Sequence, residues 1–195
     1  MLNGSHSFLA YLGYLAGYAH INECMQDDSF REAARRLMLN EQAPTLRITN
    51  VDLTAYADSL LNRFANPALQ HRTWQIAMDG SQKLPQRMLD GIRMHLERNT
   101  AWPLLALGVA GWMRYVSGTD EQGNAIDVRD PLSEKFNAIA EASSDAERVN
   151  ALLTLKEIFG DDLPQNPVFV DAIAGAYRRI TRLGARQAVI ETLKI

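Results

Sequence analysis

The sequence predicts a single all-α domain of about eight to ten helices. Apolar residues recur at helical spacing through most of the chain, and no stretch sustains the alternating pattern of a half-buried strand. The 195 residues suffice for one domain with a sizeable core, and neither an internal repeat nor a long linker divides them. The one β-like feature that we expect is a small hairpin or irregular excursion near residues 118–130, because Gly123-Asn124 is typical of turns.

Each predicted helix begins after a capping side chain or an early proline and ends at a glycine, a proline or a polar break. In the first half of the chain, the predicted helices are one capped by Ser5 or Ser7 that runs to about His20, one after Asp27-Asp28-Ser29 that ends before Pro44, and one from Leu53 to Phe64 after the cap Asp52. Two more follow, one that begins at Asn66-Pro67 and one that restarts through Leu84 after a break at Asp79-Gly80-Ser81.

The stretch from Trp102 to Tyr115 is almost wholly apolar. At about fourteen residues it is too short to span a bilayer, so it is predicted to be the central buried helix. The remaining predicted helices run from Asp130-Pro131 to about Ala142, from Ser144-Asp145 to Phe159, from Val168 to Leu183, and from beyond Gly184 to near Leu193.

Composition excludes several classes of function. The net charge of −3 and the pI of about 5.8 argue against a nucleic-acid or anionic-membrane surface. Cys24 is the only cysteine, so we expect no disulfide framework and no thiolate metal cluster, and a reducing, cytoplasmic setting fits. The four histidines lack the spacing of metal ligands, and the sequence carries no glycine-rich nucleotide-binding loop. No stretch predicts a targeting segment or a transmembrane helix.

Asn3 and His6 are the first candidate site residues. They lie three apart at the start of the first helix, so their side chains can converge on one target near free backbone N–H groups. Two hydrogen-bond donors in that positive potential suit an oxygen that gains negative charge. Because Met1 opens almost directly into a helix, we also expect the chain to be a piece of a longer protein.

The break at Asp79-Gly80-Ser81 is the second candidate. A helix, a glycine-containing break and a second helix would bring Lys83 next to a helix N-terminus, where N–H groups and a cation can meet an anionic group. Nearby, Arg72 could bind a carboxylate with its two-pronged guanidinium. Sequence alone slightly favours the alternative, a simple helix–helix corner without a ligand.

Several stretches resemble the long-chain mannitol dehydrogenase family. Residues 2–7, Leu-Asn-Gly-Ser-His-Ser, resemble the tail of its signature Lys-x-x-x-x-Asn-x-x-His. Residues 64–69, 71–87, 118–123 and 130–132 are similar to its C-terminal domain, and most similar to the fructuronate reductase (D-mannonate oxidoreductase) branch.

The resemblance implies that residues 1–195 form an all-α substrate-binding domain, like the C-terminal domain of 6-phosphogluconate-dehydrogenase-type enzymes. In this family an N-terminal Rossmann domain, absent from this sequence, binds NAD, and no metal is needed. Asn3 and His6 map onto the signature and would bond the reacting oxygen, whereas the general-base lysine would fall before Met1. The chain alone is therefore expected to fold but to lack dehydrogenase activity.

The resemblance also suggests how a sugar acid or polyol substrate is held. Lys83 aligns with a lysine that contacts the polyol in the mannitol branch, whereas Gln75 stands where mannitol-preferring relatives carry an arginine. Our hypothesis is that Lys83 and Arg72 hold the carboxylate of a uronate. The alternatives are a mannitol, altritol or related polyol dehydrogenase, and a non-catalytic helical interaction or oligomerisation module in which Asn3 and His6 merely cap a helix.

Overall fold

The structure is a computed structural model that describes all of residues 1–195. The helical periodicity of the sequence corresponds in it to thirteen α-helical segments. The segments are α1 (Leu2–Leu15), α2 (Ile21–Gln26), α3 (Asp28–Arg36), α4 (Leu53–Phe64), α5 (Thr73–Ile76), α6 (Gly80–Leu84), α7 (Asp90–Arg98), α8 (Pro103–Val116), α9 (Ser133–Ala142), α10 (Asp145–Leu153), α11 (Lys156–Phe159), α12 (Pro167–Leu183) and α13 (Ala185–Thr192). Nine of them have eight or more residues, and the predicted all-α fold is confirmed.

The central element is α8, as the apolar run from Trp102 predicted. All but two of its residues are buried, and α1 and α12 pack against it. Glycines allow the close approach of α1, because a Cβ on Gly111 would lie 2.8 Å from the side chain of Leu12. Helix α1 is therefore held closely against the central helix of the core.

Two π-helical turns interrupt the α-helical pattern, at Leu37–Gln42 after α3 and at Pro85–Leu89 between α6 and α7. Proline lacks a backbone N–H and its ring crowds the preceding turn, so a helix that passes through Pro85 has to widen locally. Turns of this kind are frequent at functional sites. Both of these border the cleft described below.

Several predicted helices are shorter or divided in the structure. Helix α1 ends at Leu15 instead of near His20, because Gly17 has a φ of +94° that an α-helix does not accommodate. The helix predicted from Asn66-Pro67 is divided into a 3₁₀ turn, Pro67–Leu69, and the short helix α5, because Gln70 between them is left-handed. The helix predicted to reach Phe159 is broken near Leu155 into α10 and α11.

The excursion at 118–130 forms a turn with one isolated β-bridge, between Thr119 and Ala125, and contains no strand. The Asp120 carboxylate accepts bonds from the backbone N–H groups of Gln122 and Asn124 at 2.9 and 2.8 Å, and Gly123 has a φ of +84°. The turn chemistry was thus predicted correctly. No helix of the structure has the length and apolar character needed to cross a membrane.

Candidate functional site

A cleft of about 350 Å³ opens beside the first turn of α1. The exposed side chain of Asn3 lies on one wall and Lys83 on another, and the π-helical turn at Leu37–Gln42 contributes Glu41 and Gln42. Two of the predicted site residues, 80 positions apart in sequence, therefore line one cavity.

His6 lies one turn after Asn3 and is half-buried. Its ring stacks on Phe64, with the centroids 5.1 Å apart and the planes 5° from parallel, and meets the edge of His71 at 5.5 Å. The Nε2 atom of His6 is buried and has no hydrogen-bond partner within the protein. A buried polar atom without a partner is costly, which indicates a place for a bound polar group.

Burial and, after it, the charges of His71, Arg87, Lys83 and Arg63 together lower the pKa of His6 from its ordinary value of 6.5 to about 4. The imidazole is therefore neutral at pH 7 and keeps one N–H donor. Because folding favours this neutral form, the stability that His6 contributes is present above about pH 6.5 and is lost as the pH falls through about 4.

Lys83 and Arg87 lie four residues apart on the helical segment that runs through Pro85. The Lys83 Nζ donates to the carbonyl of Ile76 at 3.0 Å, and Arg87 Nη1 donates to the Ser7 hydroxyl at 2.9 Å. Burial, followed by the charge of Arg87, lowers the pKa of Lys83. One of the three ammonium protons of Lys83 is used by Ile76, so others can reach a ligand in the cleft.

At the break before α6, the hydrogen-bond donors of Ser81 are already bonded to a carboxylate of the protein, that of Asp130. The carboxylate of Asp130 accepts the backbone N–H of Ser81 at 2.8 Å and the Ser81 hydroxyl at 2.6 Å. The hypothesis that the N–H groups of this break receive a substrate anion is therefore wrong for Ser81. The backbone at Asp79-Gly80-Ser81 forms a helix–helix corner. Of the groups considered at this break, the Lys83 side chain is the one that lines the cleft.

Arg72 and Gln75 lie outside the lining of the cleft. Both are exposed, and the Arg72 guanidinium carbon lies 5.2 Å from the centre of the Trp74 ring. Their role as substrate contacts stays a prediction.

Comparison with known proteins places this chain in a family. Residues 1–181 match the family described as "Mannitol dehydrogenase C-terminal domain". The chain belongs to this family.

Three relatives illustrate the similarity of this mannitol dehydrogenase C-terminal domain. It is 70% identical over 195 residues to the oxidoreductase YeiQ of Escherichia coli (strain K12), covering 100% of the chain and 40% of that protein. It is 59% identical over 190 residues to the D-mannonate oxidoreductase of the same organism, covering 97% and 39%. The solved structure of Pseudomonas fluorescens mannitol 2-dehydrogenase, a ternary complex with NAD and D-mannitol, superposes with a TM-score of 0.92 at 34% identity, covering 100% and 39%. The chain thus spans about two-fifths of the length of these relatives, and the predicted resemblance is confirmed.

The sequence did not indicate part of the cleft wall of this domain, nor the contact between Ser7 and Arg87. Glu41 and Gln42 are polar residues near the predicted end of a helix, yet both are buried in the π-helical turn. Ser7, which accepts the bond from Arg87, was predicted only as a helix cap. The available signal was a Glu-Gln pair separated by one alanine from Pro44, before which the helix was predicted to end.

Gly4 lines the cleft where α1 packs against Gln42 and Arg87. Its replacement is expected to displace the neighbouring side chains of Asn3 and His6. A Cβ on Gly4 would lie 2.0 Å from Gln42 Nε2 and 2.9 Å from the backbone oxygen of Arg87. We expect Gly4→Ala to displace the start of α1 and to lower kcat/KM of the full-length protein by roughly tenfold or more, since small misplacements of reacting groups are costly.

Steady-state kinetics would test this prediction, with Gly175→Ala as the matched control. Gly175 lies in α12, where a Cβ would meet nothing nearer than Arg178 Nη2 at 4.0 Å. If Gly4→Ala had wild-type kinetics, close packing of α1 against Gln42 and Arg87 would not be needed for activity.

Proposed function

We propose that this chain is the C-terminal, substrate-binding domain of a longer NAD-dependent oxidoreductase that interconverts D-mannonate and D-fructuronate. The observation that carries the proposal is that Asn3 and Lys83 line one cleft at the start of α1. His6, with its unpartnered Nε2, lies outside this lining but one helical turn from Asn3, and near enough for the charge of Lys83 to lower its pKa. The 59% identity to D-mannonate oxidoreductase supports the choice of substrate.

The residues of this chain suit the oxygen end of the reaction. In ketone reduction the carbonyl oxygen gains negative charge before it takes a proton, and donors aimed at that oxygen stabilise the transition state. In our proposal the Asn3 amide and the neutral His6 ring donate to this oxygen. The nearby Lys83 and Arg87 add a positive potential, which favours an alkoxide.

The remaining parts of the reaction would come from outside this chain. NAD, when bound, supplies or accepts the hydride. Residues 1–195 do not form the strand, glycine-rich turn and helix that hold a dinucleotide. We therefore assign NAD binding to a Rossmann domain of the longer protein. We likewise assign the general-base lysine of the family signature to a position before Met1.

Lys83 is the proposed partner of the uronate carboxylate. We expect Lys83→Ala in the full-length protein to raise KM for D-fructuronate about tenfold or more, because a charge-assisted hydrogen bond would be lost. KM for the neutral ketose D-fructose should change much less. Steady-state kinetics with both substrates would test this, and an equal effect on the two would refute carboxylate binding by Lys83.

A polyol dehydrogenase is the second candidate within the same class. It is supported by the TM-score of 0.92 to the complex of mannitol 2-dehydrogenase with NAD and D-mannitol. The identity of 34% to that protein is lower than the 59% to D-mannonate oxidoreductase. Gln75, where the mannitol branch is expected to carry an arginine, also favours a different substrate.

An assay panel on the full-length protein tests the proposal. NADH with D-fructuronate, and NAD with D-mannonate, D-mannitol and D-altritol, would be compared by absorbance at the nicotinamide band. We expect the highest kcat/KM on the mannonate–fructuronate pair and no turnover by the purified chain of residues 1–195. Absence of turnover on every substrate would favour the non-catalytic helical module instead.

A further inference from the structure

A short segment after the 118–126 turn runs alongside the helix break that precedes Lys83. We call residues 127–130 the strap. The backbone oxygen of Asp127 accepts the indole N–H of Trp74 at 2.7 Å, and the backbone oxygen of Arg129 accepts the N–H of Asp79 at 2.9 Å. The strap is thus bonded to both sides of the break, since Trp74 lies in α5 and Asp79 immediately precedes α6.

Asp130, the last residue of the strap, makes the strongest of these contacts. Its carboxylate accepts three hydrogen bonds, from the N–H and the hydroxyl of Ser81 at 2.8 and 2.6 Å and from the N–H of Leu132 at 2.9 Å. Ser81 is buried, so water competes little for these bonds. Hydrogen bonds to an ionised carboxylate are stronger than those between neutral groups.

Helix α6 depends on this anchor for its direction. It has only five residues, and Asp79 before it is left-handed with a φ of +57°, so the helix has no continuous axis from α5 to follow. Lys83 lies two residues after Ser81, and Arg87 lies one turn farther along the same segment. A change in the direction of α6 would therefore move both cations relative to the cleft.

We propose that Asp130 is a positioning residue for substrate binding, which it supports by fixing the direction of α6 and hence the place of Lys83 in the cleft. This inference rests on the proposed function. The strap also bonds Trp74, whose ring lies beneath the Arg72 guanidinium, so it holds both cationic groups predicted to meet a substrate carboxylate.

The test compares Asp130→Asn with wild type in the full-length protein. Asparagine keeps the shape but replaces one accepting oxygen with an NH₂ group, which cannot accept from Ser81. We expect KM for D-fructuronate to rise about tenfold while kcat falls less than roughly threefold, because binding geometry is lost and the donors at Asn3 and His6 stay in place. Asp171→Asn, an equal change of charge on the exposed face of α12, is the matched control.

Ser81→Ala provides a second variant that removes only the hydroxyl bond to Asp130. It should raise KM by a smaller factor, and the double variant Ser81→Ala/Asp130→Asn should be no worse than Asp130→Asn, since both changes break one contact. If Asp130→Asn does not fold, as judged by circular dichroism, the KM of Ser81→Ala decides the question.

The outcomes separate this inference from the proposed function. An active wild-type enzyme with an unchanged KM in folded Asp130→Asn would overturn the positioning role alone. A fall in kcat without a rise in KM would do the same, since it would indicate a general disturbance of the fold. A wild-type protein without activity on the substrate panel would overturn both.

Discussion

Replacement of His6 by alanine is expected to lower kcat/KM of the full-length protein for D-fructuronate, the proposed substrate, by about 10²–10³, the usual effect of removing one donor to a developing oxyanion. The ring is held for this task by stacking on Phe64, and its buried Nε2 has no partner within the protein. Since its pKa is about 4, His6 stays neutral throughout the usual assay range and donates without losing a proton.

Steady-state kinetics between pH 5.5 and 9 would measure the effect of His6→Ala. The ratio of wild type to variant should be constant over that range, because the titration of His6 lies below it. His6→Asn, which keeps one donor, should recover part of the rate. His20→Ala removes a ring at the N-cap position of α2 instead and should leave kcat/KM near wild type. A His6→Ala enzyme within threefold of wild type would remove His6 from the mechanism.

Local signals explain why much of the fold could be predicted. Asp27 and Asp52 cap α3 and α4 through side-chain bonds to backbone N–H groups, as their positions indicated. The apolar run beyond Trp102 corresponds to α8. These features depend on residues within a few positions of one another, so the sequence displays them directly.

The features that were missed depend on contacts between distant parts of the chain. Apolar spacing does not separate an α-helical turn from a π-helical one, so the inward turn of Glu41 and Gln42 had no local signature. The helical spacing of Tyr56 with Leu60 and Phe64 predicts a buried stripe along α4, yet Tyr56 is 44% exposed. Periodicity predicts which residues can share a face but not what packs against it.

The same distinction holds for the candidate site. Asn3 and His6 could be paired because they lie three apart on one helix, and the family signature gave them a chemical role. The anchor from Asp130 to Ser81 spans 49 positions, and the stack of His6 on Phe64 spans 58. Neither partner could be chosen from the sequence without the fold.

Glu41 stabilises the central helix from a distant part of the chain. Its side chain is buried, and its two carboxylate oxygens accept the backbone N–H groups of Leu104 and Leu105, at 2.9 and 2.8 Å. These N–H groups lie in the first turn of α8, where they have no partner within the helix. We expect Glu41→Ala to lower the free energy of unfolding by about 3 kcal/mol, because it leaves two buried donors unpaired and opens a cavity.

The pH dependence distinguishes the charge of Glu41 from its shape. Burial raises the pKa of Glu41 from 4.5 to about 7, against the lowering effect of the two backbone N–H groups. Folding therefore favours the protonated form, so this contribution to stability is complete below about pH 4.5 and is lost as the pH rises through about 7. The shift corresponds to a change of about 3 kcal/mol across that window.

Glu41→Gln should abolish this dependence, because glutamine does not titrate and resembles the protonated acid in shape. Urea unfolding of wild type, Glu41→Gln and Glu41→Ala at pH 5 and pH 8 would measure it. Relative to Glu41→Gln, wild type should lose up to about 3 kcal/mol on going to pH 8. Glu41→Ala should be the least stable at pH 5, where the acid of wild type is protonated. Parallel profiles of wild type and Glu41→Gln would show that Glu41 does not titrate in this range, and that the two N–H groups of α8 outweigh its burial.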